Sequence, residues 1–373
     1  MKSLTVGGAT IDTIAIIASD RIERMSMLNA DSAFLLLKEG SKTEATEVST
    51  HTGGGAVNTA VSMARLGLDT SALVKLGKDA RAEMVLARLM AEGISTRWAV
   101  RDGRAPTGAS VMVSSHERNA AVFTFRGANT LLKAEDLKDE AFAVDLVHVA
   151  SLSNESADLF PDIIGKAKAA GAFVTANPGP RQLAARGRAF EACVGKIDIL
   201  SINRSEAEVM LPSLIARFGE GGPAIEGTSL PRLAERGLNG GGFHMTLRAF
   251  VTAVSSLGPR YLLLTDGTEG AYVSSKDDLM FCPPLKVQVA GTAGAGDAFT
   301  STFGTFIASG SKPDMAVRAA TVNAASVVSY IDTQTGLLPR AEVEKRVAAR
   351  AAEMPVQRWA LGDSRARSEK KSA

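Results

Sequence analysis

The chain has 373 residues, 45% hydrophobic and 22% charged, an ordinary globular balance that excludes a disordered or fibrous protein and suffices for one large α/β domain or two smaller ones. Its 42 Lys and Arg against 40 Asp and Glu give a net charge of +2, which predicts no dominant attraction to nucleic acid or to an acidic membrane; any phosphate must be bound locally. Two isolated cysteines, Cys193 and Cys282, exclude a disulfide framework and a structural zinc site, and no apolar run reaches the ~18 residues of a transmembrane helix.

From the N-terminus, Leu4–Gly7 reads as a buried strand, and Gly7-Gly-Ala-Thr-Ile-Asp12 carries a carboxylate just past its end. The apolar stretch Ile11–Ala18 is interrupted by Asp12 and followed by Asp20, unlike a signal peptide, so the expected location is the cytoplasm. The segment from Thr13 to about Ser49 has no helical rhythm. Thr52-Gly-Gly-Gly-Ala-Val-Asn58 then leads into a helix over Asn58–Leu66. Gly53 and Gly54 let backbone approach a ligand, and Asn58 can both donate to and accept from hydroxyls; taken alone, the pattern is better explained by a plain loop. His51 adjoins this loop.

Strand Ala72–Leu76 and helix Ala80–Glu92 restore an alternating pattern. A second irregular stretch, Thr96–Phe125, holds the strand Ala109–Val113 and the alternating runs Ser110–Ser114 and Ala120–Phe125, which suit antiparallel hairpins. Together with Thr13–Ser49 it predicts a small β-rich lid. Trp98, Phe123 and Phe125 can stack on a base or fill the lid's core, and the core is preferred. Strand Leu146–Val149, helix Ala157–Ala170, strands Phe173–Ala176 and Ile197–Ile202, helix Ser205–Ile215 and strand Tyr261–Thr265 follow. Alternation of this kind predicts βαβ units around a mostly parallel central sheet. His148 is expected to be a satisfied core histidine.

Asn203 and Glu206, three apart after a strand, sit on one side of a first helical turn. They fit a capping box, or a pair that orients magnesium-bound water. Phe218–Gly242, rich in glycine, is expected to be an irregular surface insertion, and the charged tail 355–373 a frayed end.

The most informative segment is Val289-Ala-Gly-Thr-Ala-Gly-Ala-Gly-Asp-Ala-Phe-Thr-Ser-Thr-Phe303. A glycine-rich loop runs into an apolar helix, so successive N–H groups can converge on an anion while the helix dipole adds positive potential. Asp297 beside such a nest suits a base for phosphoryl transfer to an alcohol, though Asp at a helix start also caps it. No G-x-x-x-x-G-K-[ST] loop and no G-x-G-x-x-G fingerprint is present.

At this point the sequence resembles the ribokinase (PfkB) family of carbohydrate and nucleoside kinases. Gly294-Ala-Gly-Asp297 is similar to the family's C-terminal signature, in which the aspartate is the catalytic base and the amides of Gly294, Ala295 and Gly296 form the anion hole. Gly53-Gly54 with Asn58 resembles the N-terminal signature that contacts substrate, and Asp12 the substrate-binding aspartate. Asn203 and Glu206 resemble the N-x-x-E motif linked to magnesium and phosphate. Thr265-Asp-Gly267 with Gly270 is similar to the nucleotide-binding turn, and Asn323 to an asparagine near adenine. The six motifs keep family order from residue 4 to about 340.

The resemblance implies a central mostly parallel sheet flanked by helices over 1–354 and a lid from about 13–49 and 96–125; the insertion at about 218–242 is longer than the family usually has there. It implies ATP and Mg2+, with Glu206 acting on the metal through water. The acceptor would be a small sugar, alternatively a nucleoside; a non-catalytic binding relative is the third reading. A homodimer through the lid is implied, and no nucleic acid or membrane partner. Gly291 stands where the family signature usually has aspartate, which leaves an activating monovalent cation open.

Overall fold

The apolar runs of the sequence become neighbours in one ten-stranded sheet. Its order is Gln357–Ala360, Asp278–Cys282, Ala271–Ser274, Tyr261–Thr265, Ile199–Asn203, Phe173–Ala176, Leu146–Val149, Lys2–Gly7, Asp69–Leu76 and Val100–Arg101. From Tyr261–Thr265 to Val100–Arg101 every pairing is parallel, and the remaining three pairings are antiparallel. The computed structural model describes residues 1–18, 23–26, 33–36, 40, 42–115 and 120–361.

Both faces of this sheet are covered, which is why its strands lack alternation. Leu262 and Leu264 enter a core on one face, while Leu263 between them packs on the other with Phe299, Phe303 and Phe306. Leu200, Ile202 and Ile199 divide in the same way. Three of the expected strands, Leu146–Val149, Phe173–Ala176 and Tyr261–Thr265, keep their predicted bounds.

The lid is a separate four-stranded sheet, in the order Ala45–Gly53, Thr10–Ile17, Gly108–Ser115, Ala120–Phe125. Its outer pairings are antiparallel, as the hairpin pattern predicts, but the central one is parallel, because both strands leave the body in the same direction. The lid begins at Thr10 and not at Thr13, and the first part of the 96–125 stretch belongs to the body, where Val100–Arg101 is the last strand of the large sheet. Among the described residues Glu23–Ser26 and Ala33–Leu36 pair only with each other; the rest of the predicted first lid piece lies partly outside the described residues.

Pairing register sorts the lid's side chains onto two faces. Asp12 lies opposite His51 and Ser110, so these three share one face; Val111 lies opposite Phe123, on the other. Phe123 and Phe125 are 60% and 51% exposed, and Val48 and Val111 are exposed beside them. The expected lid core of aromatic residues is therefore not formed: a single sheet has two faces, and the body covers only one. Trp98 packs instead against the large core of the body.

Two further expectations change. The stretch 218–242 contains a short helix, Arg232–Arg236, and one strand of a hairpin, Leu238–Gly240 with Phe243–Met245, and it buries Ile225, Leu233 and Leu238 in the main core. Those apolar residues stand singly among glycines, so no period announces them. The tail does not fray at 355: Gln357–Ala360 adds an antiparallel edge strand to Asp278–Cys282, and Arg358 ion-pairs with Asp278 and Asp314. Residues from 362 onward, with the expected charged end, lie outside the described residues.

Candidate active site

The helix Ala295–Ala308 is apolar and buried from Ala298 to Ile307, so it is anchored rigidly under the sheet's carboxyl end. Gly294 is its N-cap with φ 78°, a left-handed conformation, and a Cβ there would come 2.8 Å from that of Thr333. No side chain caps this end. The N–H groups of Ala295, Gly296 and Asp297 belong to the first turn and have no acceptor within the helix, so they point out as anion donors.

Asp297 is the third residue of the helix, and its carboxylate does not cap. Oδ2 accepts from Asn58 Nδ2 at 2.8 Å. Asp297 is half-buried yet surrounded closely enough that burial pushes its carboxyl up to about 6, with the Asn58 bond working in the opposite direction. A carboxylate with that value changes protonation near neutral pH, which suits a group that exchanges protons.

Asn58 lies on the helix Gly55–Arg65, whose N-cap is Gly54. It is buried, and both ends of its amide are engaged: Oδ1 accepts from Thr333 Oγ1 at 2.8 Å and from Gln334 Nε2 at 3.0 Å, while Nδ2 serves Asp297. The amide expected to meet substrate hydroxyls also holds the carboxylate. Ser301 Oγ adds a second tie between the two helices, donating to Ser62 Oγ at 2.7 Å.

Asp12 faces the same cleft from the lid and accepts from Ser110 Oγ at 2.6 Å. Burial raises its carboxyl, while the bonds from Ser110 and Thr10 and the charge of His51 lower it. Gly53 makes room for this group, because a Cβ there would stand 1.9 Å from Asp12 Oδ2. Asp12 and Asp297 therefore flank the 53–55 glycine run, one on each side. His51 bonds Ser49 Oγ at 2.9 Å.

Asn203 and Glu206 form the reciprocal capping box: Asn203 Oδ1 accepts from the Glu206 N–H, and Glu206 Oε2 from the Asn203 N–H, each at 2.9 Å. Burial raises the Glu206 carboxyl. Asn203 pairs in register with Thr265 on the adjacent strand, so the box and the Thr265–Gly270 turn are neighbours at one sheet end. Arg204 joins them through Asp266 at 3.2 Å. In the turn, Gly267 opens a short 3-10 helix that ends at Gly270, from which Ala271–Ser274 returns.

Asn323 does not join the cluster. It is fully buried, donates to Thr302 Oγ1 at 2.8 Å and accepts from the Leu338 N–H at 2.9 Å, so its amide ties two helices and a loop and has no free edge for a base. His148 is only half satisfied: Nδ1 bonds Thr175 Oγ1, Nε2 has no partner, and burial lowers its value to about 4, which keeps the ring neutral. His116 lies outside the described residues. At Gly291 an added Cβ would stand 3.2 Å from the carbonyl oxygens of Tyr330 and Ile331, and the position supplies no carboxylate.

The loop 332–335 was not singled out from sequence. Asp332 Oδ1 accepts from the N–H groups of Gln334 and Thr335, an ordinary turn device, and only the turn is legible in Asp332-Thr-Gln-Thr-Gly336.

A model of the pfkB family of carbohydrate kinases matches residues 22–341. The ribokinase of Staphylococcus aureus is 26% identical over 257 residues, 67% of this chain and 73% of that protein. The deoxyribokinase of Salmonella typhi is 25% identical over 326 residues, 86% and 94% of the two. Among solved structures, Arabidopsis thaliana ribokinase complexed with ribose and ATP has a TM-score of 0.69 at 20% identity, covering 92% of this chain and 97% of that one.

Proposed function

The chain belongs to the pfkB family of carbohydrate kinases, and we propose that it transfers the γ-phosphate of ATP to a hydroxyl of a small sugar with Asp297 as the base. The observation that carries this reading is the Asp297 carboxylate beside the uncapped N–H groups of its own helix, with its hydrogen-bond partner, Asn58, fixed from behind. In the proposed step the hydroxyl oxygen attacks the γ-phosphorus, its proton passes to Asp297, and the bond to the β-phosphate oxygen breaks to release ADP. Charge developing on the transferred group meets the amides of Gly294, Ala295 and Gly296. Asp12 on the lid holds further hydroxyls, and lid closure excludes water that would otherwise take the phosphoryl group. Gly53 and Gly54 let the chain pass close to the sugar.

Mg2+ would screen the phosphate charge when bound. Among the described residues no trio of His, Cys, Asp or Glu side chains can hold a metal alone, which suits an ion carried by phosphates and water, with Glu206 acting through a water molecule. The turn Thr265–Gly270 and Asn203 are the proposed nucleotide contacts. Asn323 is not proposed, because its amide is spent inside the protein. Gly291 offers no carboxylate, so no activating monovalent cation is proposed.

A sugar is favoured over a nucleoside because Phe123 and Phe125 lie on the lid face opposite Asp12, and so do not stack on a base held there. That same exposed apolar face, with Val48 and Val111, supports a homodimer formed through paired lids. The test is ADP release over a panel of sugars and nucleosides. Release with a sugar is expected; background rates with every acceptor would sink the catalytic reading.

A further inference from the structure

Gln334 is 3% exposed, and every hydrogen-bonding position of its side-chain amide is used. Nε2 donates to the Thr52 carbonyl and to Asn58 Oδ1, each at 3.0 Å; Oε1 accepts from Thr52 Oγ1 at 3.1 Å and from Arg88 Nε at 2.9 Å. An amide can exchange its two ends by rotation, so something must choose. Two partners choose: the Thr52 carbonyl accepts and never donates, and the Arg88 guanidinium donates and never accepts. Oε1 of Gln334 must face it, Nε2 must then face Asn58, and Asn58 must present Oδ1 there. That leaves Asn58 Nδ2, a donor, directed at Asp297 Oδ2.

Arg88 is itself fixed. It pairs with Glu92 at 2.9 Å; Glu92 also receives two bonds from Arg65, whose Nη1 donates to the carbonyls of Gln334 and Leu337 at 2.9 and 2.7 Å. Thr52 belongs to the lid strand Ala45–Gly53, so the amide also touches the lid's root.

We infer that Arg88 and Gln334 are positioning residues that set one direction of hydrogen bonding through Asn58, so that a donor always occupies Oδ2 of Asp297 and Oδ1 is the atom that takes the substrate's proton. Oδ1 faces Gly55, where an added Cβ would be in ordinary contact with it at 3.6 Å. This inference rests on the reading of Asp297 as the base. The other ionisable groups nearby, Asp12 on the lid, His51 on the neighbouring strand and Asp332 in the loop, interact with one another, and only burial and Asn58 act on Asp297.

Gln334→Glu replaces the relay's donor with an acceptor-only group, which turns the Asn58 amide and puts Oδ1 against the Asp297 carboxylate. Titration of carboxyl carbons by 13C NMR, with Asp297 assigned from Asp297→Asn, reads the effect without any substrate. The Asp297 midpoint is expected to rise by about one pH unit in Gln334→Glu and by less in Arg88→Met and Gln334→Met; Arg88→Lys, still donor-only, restores it. On the best acceptor of the panel, the acid limb of kcat should move with that midpoint while KM for ATP stays within about twofold. Arg88 lies near the surface, so its variants keep the test alive if the Gln334 variants do not fold. An Asp297 midpoint unchanged in Gln334→Glu and Arg88→Met overturns the inference. Full turnover in Asp297→Asn would instead overturn the reading beneath it.

Discussion

The floor of the cleft and the lid above it solve the same problem in opposite ways. On the floor, Asn58, Thr333 and Gln334 answer one another's polar groups within a buried network, and the apolar helix behind Asp297 locks it from below. Among the described residues the lid has no second layer: one face carries Asp12, His51 and Ser110, and the other leaves Val48, Val111, Phe123 and Phe125 exposed. The floor is over-determined by its own chain, whereas the lid's geometry depends on what covers it. A base needs a fixed direction, and a closing sheet needs freedom to move.

The largest expected effect tests the floor. Asp297→Asn keeps the shape and removes the proposed base, so kcat should fall by about 10²–10⁴ with ATP binding little changed. Steady-state kinetics beside nucleotide titration decides it; turnover near wild type would mean that Asp297 only shapes the helix start. Next comes Asn58→Leu, which strands Thr333 and Gln334 in the interior. A stability loss of about 1–3 kcal/mol, measured by denaturant unfolding, and a kcat drop of tenfold or more are expected. If stability falls while kcat holds, Asn58 belongs to packing and not to the base.

The contrast between the regions also explains what could be read in advance. Runs such as Leu146–Val149 announce buried parallel strands because continuous apolarity is a local property. The glycine loop before Asp297 is local as well. The bond that gives Asp297 its direction is not: Asn58 is 239 positions away, and Gln334 reaches back 276 positions to Asn58 and 246 to Arg88. In sequence Arg88 is one more basic residue on an amphipathic helix, paired with Glu92 four residues on. Asn323 fails in the opposite sense: its motif position resembles an adenine contact, and the fold spends its amide on Thr302 and Leu338. The lid's exposed face was misread because alternation tells which residues share a face, but not whether anything covers it.

A lid prediction follows in size. Phe123→Glu places charge in the centre of the exposed apolar face without touching Asp12 or Asp297. If two lids pair there, sedimentation or light scattering should show the population shift toward monomer, with a weakening of about tenfold or more for a charge buried in an apolar contact. Unchanged mass at all concentrations, whether monomeric or dimeric, removes this face from the assembly.

The smallest effect links the floor to pH. The Asp297 carboxyl has an ordinary value of 3.8 and is raised to about 6 by burial in the folded chain. Below 3.8 the group is protonated in both states and costs nothing. Between 3.8 and 6 the unfolded chain releases the proton and the folded chain retains it, so stability is progressively lost; above 6 the penalty is complete. Asp297→Asn never ionises and should escape it. The variant's stability advantage should therefore be near zero at pH 3, grow toward pH 6 and level off at roughly 1–2 kcal/mol, a value reduced for the group's partial contact with water. Urea unfolding of both proteins across that range measures it. A flat difference would mean that the carboxylate is better solvated than its enclosure suggests, and that the floor, like the lid, takes part of its definition from outside the chain.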